Sequence, residues 1–221
     1  MSPSASSALA SHHYFDRDLN QMAVKLLPAE YYVTTTNTVL STVLGSCVAA
    51  CLHDADTGIA GMNHFMLPED SDRTARDARE SMRYGTYAMD VLIAEMMRAG
   101  ARRERIQAKV FGGGAVLANM TTLNIGDRNS DFVLRYLAEQ RIVVAAQDLR
   151  GPHARRVCFV PATGKASVRK LRAQTDVQLV QREEVDLLRQ IVPPRAWGID
   201  KAMTTTPTPV TAAMARNKGR L

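Results

Sequence analysis

The segment Leu44-Gly45-Ser46-Cys47 places a thiol directly after a Gly-Ser pair at the end of an apolar run. A cysteine thiolate attacks acyl carbons, and glycine beside it allows a tight backbone and close approach by another molecule. The backbone N–H groups of such a corner, around Gly45, Ser46 and Cys47, can hold the oxyanion that attack creates. His64 follows seventeen residues later (64 − 47), inside the apolar stretch Gly61-Met62-Asn63-His64-Phe65-Met66-Leu67-Pro68. Between them, Asp54-Ala55-Asp56-Thr57-Gly58 has turn composition, so Cys47–His53 and Gly58–Met66 are expected to pair as a hairpin. Such a hairpin can bring the thiol and the imidazole to one face, where they would form a thiolate–imidazolium pair. Each residue also has a plain structural reading. Free cysteine is commonly a core residue, and a histidine within an apolar strand is commonly a hydrogen-bonded part of the core.

The elements that must position this pair are short strands in the first half, then alternating helices and strands. Tyr31–Thr35 and Val39–Leu44 join the hairpin strands as β-rich runs. A polar loop, Pro68 to Asp77, leads into a helical apolar series at Met82, Gly85, Met89, Leu92 and Met96, with Gly100 as its C-cap. Gly85 within that helix is expected to mark a close packing contact. A strand over Ile106–Val110 runs into Gly112-Gly113-Gly114, and a second amphipathic helix covers about Asp127–Gln140. Ile142–Gln147 is a further strand, and Arg156–Val160 with Ala166–Leu171 makes a hairpin. Glu183–Val192 is the last helix, stopped by Pro193-Pro194. The sum is an α/β fold: a layered sandwich of mixed β-sheets with about three packed helices.

Composition narrows the class. The 221 residues are 46% hydrophobic and 23% charged, which suits a globular chain with a core of its own. Cys47, Cys51 and Cys158 are odd in number and contain no Cys-x-x-Cys pair, so neither a disulfide framework nor a metal-ligand cluster is expected. No apolar run reaches the roughly 20 residues of a membrane helix, and the N-terminus lacks the charged start and apolar middle of a signal peptide. A cytoplasmic location is the expectation. The net charge of +6 reads as a solvated surface rather than a nucleic-acid face, because no aromatic pattern interleaves with the basic residues.

Several segments together resemble the chemoreceptor glutamine deamidase family, CheD. They are Val43–Cys51, Gly61–Pro68, Arg83–Met89, Lys109–Gly114 and Ile125–Asn129, with the Asp148–Gly151 and Gly164-Lys165 turns fitting the later part. The resemblance covers about Tyr14–Leu171 in consistent order. It implies a catalytic cysteine at Cys47, a histidine at His64, and a third, hydroxyl-bearing residue at Ser41 with Thr42 next to it. It further implies deamidation of selected glutamines on methyl-accepting chemotaxis receptors, no cofactor, and a possible CheC-type phosphatase partner. On this reading residues 14–197 are the deamidase domain, 1–13 a disordered N-terminal tail and 198–221 a disordered basic C-terminal tail.

Two rival readings use the same residues. Another Cys–His enzyme, such as a peptidase or acyltransferase, would need the same pair. A binding module that regulates a CheC-type phosphatase of the response regulator CheY would need neither. Cys51 and Cys158 read as core thiols, and the Met82–Met97 stripe as core. Gly112–Gly114 lacks the Lys-Ser/Thr of a phosphate loop and reads as a tight turn near the site. Asn129 reads as a helix cap.

Overall fold

Short runs rich in β-branched and aromatic residues form the strands. In the computed structural model, which describes residues 8–67, 75–116, 125–172 and 174–191, they are β1 (Ala8–Leu9), β2 (His12–Asp16), β3 (Gln21–Lys25), β4 (Glu30–Thr34), β5 (Val39–Leu44), β6 (Val48–Asp54), β7 (Ile59–Asn63), β8 (Gln107–Gly112), β9 (Val143–Leu149), β10 (Arg155–Val160) and β11 (Lys165–Lys170). The helices are α1 (Ala75–Arg98), α2 (Ile125–Glu139) and α3 (Gln174–Ile191). One sheet has the order β1-β4-β7-β6-β8-β9, and the other β11-β10-β5-β3-β2. Both are mixed: β1–β4, β8–β9 and β3–β5 are parallel, and the remaining pairs antiparallel.

β6 shows why the molecule is layered. It is apolar at nearly every position, so both of its faces need cover. Val48, Ala50 and Leu52 lie beneath α1 and α2, against Leu92, Met96, Phe132 and Val133. Ala49 and Cys51, with Cys47 just before the strand, face the second sheet and its Leu40, Leu44, Val157 and Phe159. Gly85 of α1 is the close contact expected of it: a methyl in its place would lie 2.5 Å from Leu67 Cδ2. α3 stands apart from the helical layer. Its Leu187 reaches the inter-sheet core, and its Val180 packs with Val116, Ala154 and Leu171.

The expected α/β sandwich and the β6–β7 hairpin are present. Three boundaries differ. The expected N-terminal tail of residues 1–13 gives way to strands from residue 8: Ala8–Leu9 pairs with Glu30–Tyr31, and His12–Asp16 pairs with Gln21–Lys25. These edge strands are rich in polar residues and show no strand alternation. α1 already spans Ala75, within the expected polar loop, whose residues 68–74 lie outside the described residues. α3 begins at Gln174, nine residues before the expected start at Glu183. The 198–221 segment also lies outside the described residues.

Candidate active site

The chain leaves the second sheet at Leu44 and enters the first at Val48, and Gly45, Ser46 and Cys47 make the crossing. The three carbonyls of this crossing are held from behind. Gly114 N–H donates to Gly45 O at 2.7 Å and Gly113 N–H to Cys47 O at 2.8 Å. Asn129 Nδ2 donates to Ser46 O at 2.8 Å, while its Oδ1 accepts from Leu67 N–H at 2.9 Å. Gly113 has φ +64, and any Cβ there would strike Ser130 Oγ, so only glycine fits this clamp.

With the carbonyls held behind, the three N–H groups converge on the opposite side, an anion-binding concavity. A carboxylate fills it. Glu184 of α3 accepts from Gly45 N–H (2.8 Å) and Cys47 N–H (2.9 Å) on Oε1, and from Ser46 N–H (2.9 Å) and Ser46 Oγ (2.7 Å) on Oε2. Charged acceptors make the stronger class of hydrogen bond, and here four converge on one buried group.

His64 lies just past the end of β7. Val48 and Phe65 exchange two backbone hydrogen bonds of 2.9 Å, and His64 N–H donates to Glu30 O, also at 2.9 Å. The ring is thereby held on the inner face. Thr42 Oγ1 stands 2.8 Å from His64 Nδ1, and the same hydroxyl donates to Leu26 O at 2.8 Å. A threonine has one O–H to give, and it is spent on that carbonyl. Nδ1 must therefore be the protonated nitrogen, and Nε2 keeps its lone pair. Nε2 has no hydrogen-bond partner, the sole such buried side-chain N or O among the described residues. Cys47 Sγ, a His64 ring nitrogen and a Glu184 oxygen lie within 4.8 Å of one another.

Both groups are sealed, Cys47 at 0% and His64 at 2% exposure. Burial, with the Glu184 charge next, pushes the Cys47 thiol well above its ordinary range. Burial likewise lowers His64 to about 4, opposed by the backbone interaction with Leu26 and aided by Lys25. Both shifts favour a neutral thiol beside a neutral imidazole over the ion pair expected from the sequence. Tyr84 of α1 is near enough to Cys47 to be pushed up to about 12, chiefly by its own burial.

The structure brings Cys47, His64, Gly45 and Ser46 together. Ser41 is elsewhere: its Oγ bonds Tyr14 Oη at 2.8 Å, on the outer face of the second sheet. The hydroxyl on the imidazole belongs to Thr42, because alternation along β5 sends Thr42 inward with Leu40 and Leu44 and turns Ser41 outward. Asn129 is no cap; it ties the crossing to the strand exit. Gly112–Gly114 is the turn next to the site that its composition suggested. Glu184 was missed. The signal available for it was a charge on the apolar Val180–Leu187 stripe, the position where a helix normally buries carbon. It completes a Cys–His–Glu trio that no local spacing reveals, although both of its carboxylate oxygens are already engaged by the crossing.

Comparison with known proteins identifies the family. The family described as CheD chemotactic sensory transduction matches residues 66–170. A probable chemoreceptor glutamine deamidase CheD of Cupriavidus pinatubonensis is 63% identical over 86% of this chain and 88% of its own length. Its counterpart in Cupriavidus metallidurans is 60% identical over 86% of each chain. That of Burkholderia vietnamiensis is 60% identical over 83% of this chain and 74% of its own. With such identity over most of its length, the chain belongs to the chemoreceptor glutamine deamidase CheD family.

Proposed function

We propose that this chain hydrolyses the side-chain amides of selected chemoreceptor glutamines to glutamate, with Cys47 as nucleophile, His64 as general base and acid, and Thr42 as the group orienting His64. The relatives' names supply the substrate. The observation that carries the residue roles is the buried, unpartnered Nε2 of His64, left basic by the Thr42 contact at Nδ1, on a ring that lies within 4.8 Å of a thiol at the edge of an N–H cradle.

The chemistry follows from those atoms. His64 Nε2 takes the Cys47 proton as sulfur attacks the glutamine Cδ, forming the C–S bond. The amide oxygen becomes an oxyanion and is received by the N–H groups of Gly45, Ser46 and Cys47; one such donor is typically worth about 3 kcal/mol. As the intermediate collapses the C–N bond breaks, and the imidazolium proton leaves with ammonia. Water then gives a proton to Nε2 and its oxygen to the thioester. The C–S bond breaks, the thiolate recovers the proton, and glutamate departs. His64 starts and ends neutral in each half, which suits a ring that burial disfavours as a cation.

The test is ammonia release from a receptor cytoplasmic fragment, with mass spectrometry of the fragment. Wild type should add about one dalton per converted glutamine and cleave no peptide bond. Undiminished release by Cys47→Ala or by His64→Ala would refute the roles given to those residues, and peptide cleavage would favour a peptidase.

A further inference from the structure

Glu184 is the chemical product of the reaction proposed above, a protein-borne glutamate, and it lies where that product's carboxylate would lie. We infer that α3 is a built-in product mimic: Glu184 occupies the oxyanion cradle beside Cys47, so the chain rests in a self-blocked form and works only when α3 withdraws. This inference rests on the deamidase reading of the same cradle.

Three observations carry it. First, the contact is complete. Three consecutive backbone N–H groups and the Ser46 hydroxyl all donate to a single carboxylate that is 1% exposed. A carboxylate offers acceptors on both oxygens, whereas a carboxamide would set its own NH2 against one of these donors. The cradle therefore holds the product form more firmly than the substrate form. Second, nothing is left open: Cys47 is fully buried, and His64, whose Nε2 is buried without a partner, has a ring nitrogen within 4.8 Å of the thiol and the carboxylate. An amide cannot enter while the carboxylate is present.

Third, the segment that delivers Glu184 is a helix that follows the last strand and belongs to neither ladder, so it can leave with both sheets intact. α3 lies after residue 170, where the family match ends, and follows the last strand. Val180 packs on Val116, Ala154 and Leu171, and Leu187 reaches the inter-sheet core. Gln181 donates to the Val116 carbonyl, and Glu183 sits 3.6 Å from Lys25. α3 pairs with no strand. Glu184 and His64 lie within 4.8 Å of the thiol, and Glu183 from α3 and Tyr84 from α1 are near enough to interact with it electrostatically. Withdrawal of α3 removes both acids and their burial, which lowers the thiol toward its ordinary range and frees the cradle together.

The full-length chain allows a direct test with two readouts: iodoacetamide alkylation mapped to Cys47 by peptide mass, and ammonia release from a receptor fragment. Glu184→Ala removes the mimic. Val180→Asp loosens α3 without touching the cradle. Each should raise alkylation of Cys47 at least tenfold and raise ammonia release. If both variants leave both rates unchanged, or lower them while wild type acts on the receptor, Glu184 is a strut for the crossing and the inference is overturned. If alkylation rises but no variant or wild type yields ammonia, self-blocking stands and the deamidase reading falls. A sharper arm uses Glu184→Gln. Its amide should be converted back to glutamate in cis, adding about one dalton at position 184 at a rate independent of protein concentration, and only with Cys47 intact. Retention of that amide by a chain that deamidates a receptor in trans would sink the product-mimic assignment.

Discussion

Cys47 and Cys51 lie four residues apart on the same inner face, and each has a histidine nearby. Cys51 shares a small pocket with His53, Lys109, Phe159 and Gly164 at the far end of β6. Burial raises both thiols and lowers both imidazoles. The two ends differ in their backbone. Cys51 sits in the ladder between Met62 and Lys109, where strand amides are consumed by neighbouring strands. Cys47 lies in the crossing between sheets, and its N–H and those of the two residues before it are left to point together at a ligand. The partners of the rings differ as well. A lysine charge works against protonation of each ring, Lys25 at His64 and Lys109 at His53, but only His64 has Thr42 at its Nδ1, while His53 has a backbone interaction with Pro161. Proximity of a thiol and an imidazole is therefore common to both ends, and a fan of amides outside the strand ladders, closed by Glu184, belongs to one.

The contrast breaks most sharply at the sulfurs. Cys47→Ala should cut turnover on a receptor fragment by about 10⁴-fold or more, since a covalent nucleophile has no substitute. Cys51→Ala should leave turnover within about twofold, because it removes one small core atom. Equal losses from the two would erase the distinction. A second comparison sets adjacent hydroxyls against each other. Thr42→Val frees the imidazole to take either tautomer and should lower kcat by about 10²- to 10³-fold with little change in KM. Ser41→Ala, which removes a hydroxyl bonded to Tyr14, should stay within about twofold. The reverse order of effects would return the orienting role to Ser41.

Anchors at the two ends give a smaller effect on turnover. Asn129→Ala leaves Ser46 O and Leu67 N–H buried without their partner, costing about 2–3 kcal/mol in denaturant unfolding, and should also slow turnover because the cradle loosens. Asp54 is the far-end counterpart. It accepts from Arg102 N–H and from the Arg105 guanidinium, which with other hydrogen bonds hold its carboxyl down at about 2 despite burial. Asp54→Asn should lower the melting temperature while turnover at the distant cradle persists.

The smallest effect is on the pH dependence of stability. His64 ordinarily titrates near 6.5 and is held at about 4 in the fold. Between those values the unfolded chain binds a proton that the folded chain refuses. Stability should therefore fall as pH drops from 6.5 to 4, by up to about 3 kcal/mol, and this contribution should level off below. His64→Gln should flatten that part of a urea-midpoint against pH curve. His53→Gln, altering a ring less deeply enclosed, should flatten it less.

Much of this was legible in the residues. The Gly-Ser-Cys corner, the hairpin turn at Asp54–Gly58 and the histidine beyond it are local features, and local chemistry fixes turns and strand pairing at short range. Three facts were decided by tertiary structure alone. β5 is apolar at both parities, so Val39-Leu40-Ser41-Thr42-Val43-Leu44 carries no alternation to say which hydroxyl points inward; sheet packing chose Thr42. The edge hairpin of β2 and β3 is polar enough to hide its strands, and pairing with β5 supplies what propensity lacks. Glu184 meets Cys47 from 137 residues away, a separation no periodicity spans. A sequence records which groups a segment can offer. Which of them share a cavity, and whether a thiol there is ready or silenced, is set by the burial and charge that distant elements bring to it.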